Sequence, residues 1–425
     1  MRVAILLLLV IVTIVLTTGC TSTLPSGNDS VVSTTLPIVI SGTTGLANAS
    51  PESSVIAGTH AIPMSETTTL PTPVATNSIP YSTSTPASDY TSGGSLSKTY
   101  YYVIDSTPGF IPFEVYTRVN EYILEKGNIY TGDNYTAIVD EPVQREYILP
   151  IVKNIRKAAK NEDDEARIAI SLVQHIKYDA NIIGEVQFNE SRSGELYIGR
   201  YPYTILFQNW GGICGEKSFL LALILKELGY GVALFQFDDV RHMAVGIQAS
   251  SEYAFNNTGY ALIESTAVEI PTFDDYGFNG LDVTMSSLSP TKVIVVSEGK
   301  SFETIGKEAA DADNERSVVS AMRNVYQAAV KLKATENRLD YLSRVVAYWK
   351  SKVEYDLTTK NSQYTYDYEA YQKAVADYND YYDKTYIPTY VSWRDLNVDY
   401  EENYLPKQTS LEKKYGMTTG VNVGL

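Results

Sequence analysis

Apolar residues recur along this chain with more than one period, and the changes of period divide it. In "LPIVKNIRKAAK" (149–160) and "DEARIAISLVQHIKY" (164–178) they return every three or four positions, which predicts helices. In "GGICGEKSFLLALILKELGYG" (211–231), Phe219, Leu220, Leu221, Leu223, Ile224, Leu225 and Leu228 nearly encircle the axis. A helix apolar on most sides belongs in a core, and Gly229 and Gly231 close this one. "TYYYVID" (99–105), "GVALFQF" (231–237), "HMAVGIQA" (242–249), "YALIEST" (260–266) and "KVIVVS" (292–297) read as strands. A core helix followed by an antiparallel meander is an α+β arrangement.

From about residue 308 the pattern lengthens. Val318, Met322, Val325, Ala329, Leu332, Leu339, Leu342, Val346, Trp349 and Val353 hold a three/four spacing over about five heptads. After "TTKNSQ" a second series runs through Tyr364, Tyr368, Tyr371, Val375, Tyr378, Tyr382 and Tyr386. Two stripes joined by a short polar turn predict a long antiparallel helical hairpin, which Pro388 is expected to end. A stripe of tyrosines reads first as a packing seam. The hairpin either packs on the globular domain or meets a second copy of itself.

The N-terminus has a different texture. "MRVAILLLLVIVTIVLTTGC" carries one basic residue and an apolar run from Val3 to Leu16, short for a spanning helix, which needs about 20 apolar residues. Thr17-Thr18-Gly19-Cys20 resembles a lipoprotein cleavage site, with Cys20 the residue that would carry lipid; an uncleaved anchor is the fallback. Residues 21–97 are rich in Ser, Thr and Pro and lack Lys and Arg, so they are expected to form a disordered stalk. Asn28, Asn48, Asn134, Asn189 and Asn256 stand in glycosylation sequons. The expected layout is thus signal 1–20, stalk 21–97, α+β domain 98–305, and Tyr-rich hairpin with tail 306–425. Such a protein would sit on the outer face of the cell membrane.

Charge narrows the partners. With 34 basic and 50 acidic residues the chain carries −16, which argues against nucleic acid and anionic lipid headgroups. At 44% hydrophobic and 11% aromatic it can fill a core. No phosphate-cradling glycine loop and no Cys/His metal spacing is present, so neither cofactor nor metal is implied.

The chemistry centres on one thiol. There are two cysteines, and if Cys20 is lipidated Cys214 is left free in an oxidising compartment. Cys214 stands at the predicted start of the core helix, where backbone N–H groups and the helix dipole favour a thiolate. Gly211, Gly212 and Gly215 flank it, which would let the backbone approach a substrate and present N–H groups to an oxyanion. The chain has three histidines. His60 lies in the stalk, His175 on a helix where a structural role is expected, and His242 heads a strand just after Asp238-Asp239. On the following strand Glu264 interrupts an apolar run, and adjacent antiparallel strands would place it beside His242.

"GGICGEKSFLLALILKELGYGVALFQF", "RHMAVGI" and "YALIEST" together resemble the transglutaminase-like superfamily of papain-fold proteins, over roughly residues 150–270. The resemblance implies a papain-like core in which a helix bearing Cys214 packs on an antiparallel sheet. Cys214 would be the nucleophile, His242 the general base and acid, and Glu264 the orienting carboxylate. The usual sequence at the third position is Asp-Pro-Thr, and Glu264-Ser265-Thr266 departs from it by one methylene. Gln208, six residues before Cys214, has the spacing of the oxyanion glutamine of papain-like proteases, and Trp210 is the aromatic alternative. The resemblance thus implies a tethered cysteine enzyme acting on amide or acyl groups of a peptide or protein, either hydrolysing or cross-linking. The rival expectation is a non-catalytic module that binds peptide or wall polymer.

Overall fold

The computed structural model describes residues 90–179, 196–209, 211–277 and 283–419. The signal and stalk assignments at 1–89, Cys20, Trp210 and Asn189 lie outside them. The architecture is mixed helix and antiparallel sheet with a long C-terminal helical part.

A hairpin opens the described chain. β1 (Ser95–Ile104) pairs with β2 (Thr107–Tyr116) through a tight turn with Asp105 and Ser106 at positive φ. The packed structure takes in residues before 98: Tyr90 packs edge-on against Tyr122 and Tyr147. Then come α1 (Thr117–Glu125), β3 (Ile129–Tyr130), α2 (Tyr135–Val139), α3 (Pro142–Ala158) and α4 (Glu162–His175). β4 (Tyr197–Gly199) pairs with β3 and leads to α5 (Pro202–Phe207). The expected core helix is α6, Cys214–Glu227, buried on every side from Gly215 to Leu225.

β5 (Val232–Phe237), β6 (His242–Gln248), β7 (Tyr260–Ile263) and β8 (Lys292–Ser297) form one antiparallel sheet in the order β7-β6-β5-β8. Its central strands are apolar without alternation because both faces are covered. One face, with Leu234, Val245 and Ile263, packs on α6, with α2 against β8 and with α3 and α4 packed on α6 in turn. The other, with Phe235, Ala244 and Leu262, packs on Ile270, Phe273, Tyr276 and Met285.

Ala312 and Val319 belong to that second cluster too. They come from α7 (Ile305–Thr359), a 55-residue helix of about 80 Å at 1.5 Å per residue. The polar turn reverses the chain at Lys360, and α8 (Tyr364–Tyr381) returns along α7. The expected seam holds, with Leu332 and Val353 on α7 and Ala374 on α8 buried in it. Pro388 does not end the hairpin. A π-helical turn (Tyr382–Tyr386) precedes α9 (Ile387–Asp399), a second (Tyr400–Tyr404) follows, and α10 (Leu405–Tyr415) brings the chain back to the core, where Leu411 and Met417 are buried.

The reason is geometric. Tyr378, Tyr382, Tyr386 and Tyr390 stack successively at four-residue spacing, with ring centroids 6.2, 5.4 and 6.3 Å apart. Four residues overshoot a 3.6-residue turn, and the wider π turn takes up the drift. It also resets the hydrogen-bond ladder so that Pro388, which has no N–H to give, falls in the first turn of α9.

Candidate active site

Cys214 is the first residue of α6 and is half-buried, its sulfur 3.9 Å from the backbone oxygen of Arg241. His242 follows Arg241 at the start of β6, and Glu264 follows the last residue of β7. The register Val245↔Ile263 puts both side chains on one face of the sheet, two positions apart. His242 Nε2 lies 2.8 Å from Glu264 Oε2, and the imidazole also hydrogen-bonds Cys214. Nitrogen, sulfur and carboxylate are therefore joined in series.

The first turn of α6 is unusual in burying Glu216, Lys217 and Ser218 completely. Each has partners. Glu216 accepts from the Ile213 N–H (3.0 Å), capping the helix, and from Arg200 Nε (2.5 Å), Nη2 (2.9 Å) and backbone N–H (2.9 Å). Lys217 Nζ donates to the backbone oxygens of Gln174, Ile176 and Thr266 at 3.2, 2.6 and 3.2 Å. Ser218 donates to Met243 O at 3.0 Å. Four segments are thus tied to the turn that carries the sulfur. Burial pulls the Lys217 ammonium down to about 7 against the raising influence of the Glu264 charge.

Glu264 is equally enclosed. Its Oε1 accepts from the N–H groups of Ser265 (2.8 Å) and Thr266 (2.6 Å) and from Thr266 Oγ1 (2.6 Å). Burial weighs against its charge, but the neighbouring imidazolium and the Thr266 donors hold the carboxyl down at about 2. For His242, burial again opposes the charge; the Glu264 charge and then the hydrogen bonds to Cys214 and Glu264 override it and lift the imidazole to about 10. Around neutrality the pair is an imidazolium facing a carboxylate. Tyr276 and Phe237 enclose the ring, with centroids 6.5 and 6.4 Å from it. The Tyr276 phenol is pushed well above its ordinary range, first by burial and then by the charge of Glu264.

A groove of about 230 Å³ opens beside the sulfur, walled by Tyr178, Tyr197, Ile198, Phe237 and Arg241. Tyr178 is bridged to Gly212 in parallel, and its phenol is raised by burial and then by the proximity of Cys214. The flanking glycines are closely packed, and Gly215 also lines the groove. A Cβ on Gly215 would stand 2.0 Å from the oxygen of Ile198, and one on Gly211 2.0 Å from that of Lys177. Gln208 is not part of the groove wall; its side-chain oxygen accepts from Arg200 Nη1 at 2.9 Å. His175 Nδ1 donates to Ser171 O at 2.7 Å and its ring abuts Tyr101, away from the groove. Among the described residues no cluster of three or more His, Cys, Asp or Glu side chains is placed to hold a metal ion.

Sequence reasoning missed Arg200, Lys217, Tyr178 and Tyr276. For Lys217 the signal was present, a cation inside an apolar run in the turn after the cysteine. Tyr276 gave none, because only tertiary structure returns it to the sheet. No protein-family model, curated protein or solved structure matches the chain.

Proposed function

We propose that this chain is a cysteine enzyme of the transglutaminase-like, papain-fold type, acting on amide or acyl groups of peptides or proteins. The observation that carries the reading is the series Cys214–His242–Glu264 beside an open groove, with the imidazole 2.8 Å from a fully satisfied buried carboxylate. A buried carboxylate is costly unless paired, and this one is spent on holding a histidine.

In the proposed reaction the Cys214 sulfur bonds to the carbonyl carbon, and the proton it gives up is held on His242. N–H groups in the first turn of α6, which have no intrahelical acceptors, face the developing oxyanion. The carbon–nitrogen bond breaks as His242 gives its proton to the leaving amine. Water or a second amine then attacks the thioester and gives a proton back to His242, and the carbon–sulfur bond breaks to free the thiolate beside the imidazolium. Glu264 fixes the ring and keeps it charged between the two halves. The N-terminal segment through Cys20 would hold the enzyme at the outer face of the membrane; no helix among the described residues is long and apolar enough to cross one.

The test supplies a glutamine-containing protein together with a fluorescent primary amine. Amine incorporation or new peptide termini, lost in Cys214→Ala, is the expected result and separates transfer from hydrolysis. Neither product from wild type, across a panel of proteins, contradicts the reading and favours the binding module.

A further inference from the structure

Tyr276 reaches the site on a segment without regular structure, and that segment is pinned to the base of the helical arm. Arg316 of α7 gives Nε and Nη2 to one carboxylate oxygen of Asp274 (3.1 and 2.9 Å) and Nη2 to the backbone oxygen of Thr272 (2.6 Å). Two turns further on, Arg323 binds the carboxylate of Asp275 at 2.9 Å and its backbone oxygen at 3.2 Å. Val319, between them, is buried in the same cluster as Phe273 and Tyr276. Seven residues are two helical turns, so all three side chains lie on one face of α7.

The held backbone is strained. Thr272 has φ +72°, a conformation rare for a β-branched residue. Such a residue keeps its place only where its surroundings over-determine it. Here its N–H donates to Leu262 O at 2.9 Å, and its own oxygen takes the Arg316 bond. Four residues later the Tyr276 ring stands edge-on to His242, its hydroxyl against Glu264.

We infer that Arg316 and Arg323 are positioning residues for the Cys214 site: they hold Thr272–Tyr276 to its strained course and so keep Tyr276 packed against the His242–Glu264 pair. The arm is then a working part of the enzyme. Water kept from the pair leaves the Glu264 charge at full strength on the imidazole and fixes the ring that must face the sulfur. The inference rests on the catalytic reading above.

The experiment uses the full chain and a peptidyl vinyl sulfone, which reacts irreversibly with an activated thiol, and reads the saturating labelling rate, the half-saturating concentration and the pH profile. Arg316→Gln with Arg323→Gln keeps good helix formers in α7. The saturating rate is expected to fall about tenfold, as a small misplacement of reacting groups does. Half-saturation should stay put, since the groove walls are untouched. The groups facing His242 are Glu264, Cys214 and Tyr276, and with Tyr276 loosened the alkaline limb should move down toward the ordinary imidazole range. Tyr276→Ala, which removes the ring and leaves both arginines in place, should reproduce both changes and decides the matter if the double variant does not fold. Wild-type rate and limb in either folded variant overturn the inference and reduce the arginines to fasteners of the arm. Wild type that labels no faster than Cys214→Ala removes the catalytic reading itself, and this inference with it.

Discussion

Glu264→Gln changes almost no volume and removes one charge. The carboxylate has three donors on Oε1 and the imidazole on Oε2. A glutamine oxygen can serve the first three, which turns its NH₂ group toward the nitrogen of His242. Donor then meets donor, or the imidazole gives up its proton. A hydrogen bond to a charged group contributes about 1.5–3 kcal/mol, so destabilisation of about 2–3 kcal/mol is expected at pH 6. The pH dependence comes from the two shifts. His242 is raised to about 10, so its contribution is complete below its ordinary value of about 6.5 and is lost as pH rises through 10. Glu264 is lowered to about 2, so its contribution is present above about 4.5 and lost as pH falls through 2. The gap between wild type and variant should be widest between about pH 4.5 and 6.5 and narrow toward pH 10. Urea unfolding followed by tryptophan fluorescence at pH 6 and pH 10 measures it. A gap of equal size at both values refutes the ion-pair reasoning, and so does a variant as stable as wild type.

Three further substitutions probe the frame around the sulfur. Lys217→Met takes the donor from one buried and two partly buried carbonyls, at about 1–3 kcal/mol each, and should cost at least about 3 kcal/mol in urea unfolding; a neutral result means the ammonium is not the strut it resembles. Arg200→Gln strands the buried Glu216 carboxylate and should cost about 3–5 kcal/mol in thermal denaturation, whereas an unchanged Tm contradicts the pairing. Gly215→Ala forces a Cβ onto the Ile198 oxygen and should cost about 1–3 kcal/mol; retained stability would mean that Ile198 does not press on that glycine.

The site was more legible in the sequence than its supports were. Cys214, His242 and Glu264 announce themselves because each stands at the end of an apolar element, and chain order alone puts the last two on neighbouring strands. Gln208 shows the limit of spacing as evidence. It stands where a proteolytic glutamine would, but Arg200, recruited by Glu216, holds its side chain instead. The glycines around Cys214 read as room for substrate, and sequence does not show that Ile198 and Lys177 also press on Gly215 and Gly211. The arm's seam was visible from periodicity, and its length was not. Proline rules favour a break at Pro388, and the π turns that absorb it respond to tyrosine stacking, which only coordinates reveal. The bonds from Arg316 and Arg323 to the Tyr276 segment cross more than forty positions of chain, and no local pattern encodes them.

The most direct measurement is intact-mass analysis of the thioester formed when the purified chain meets an activated acyl donor, comparing wild type with His242→Ala. Acylation confined to Cys214, slowed about 10²-fold or more without the imidazole, is the expected result. Equal acylation of both proteins, or adducts scattered over other side chains with Cys214 untouched, contradicts the account.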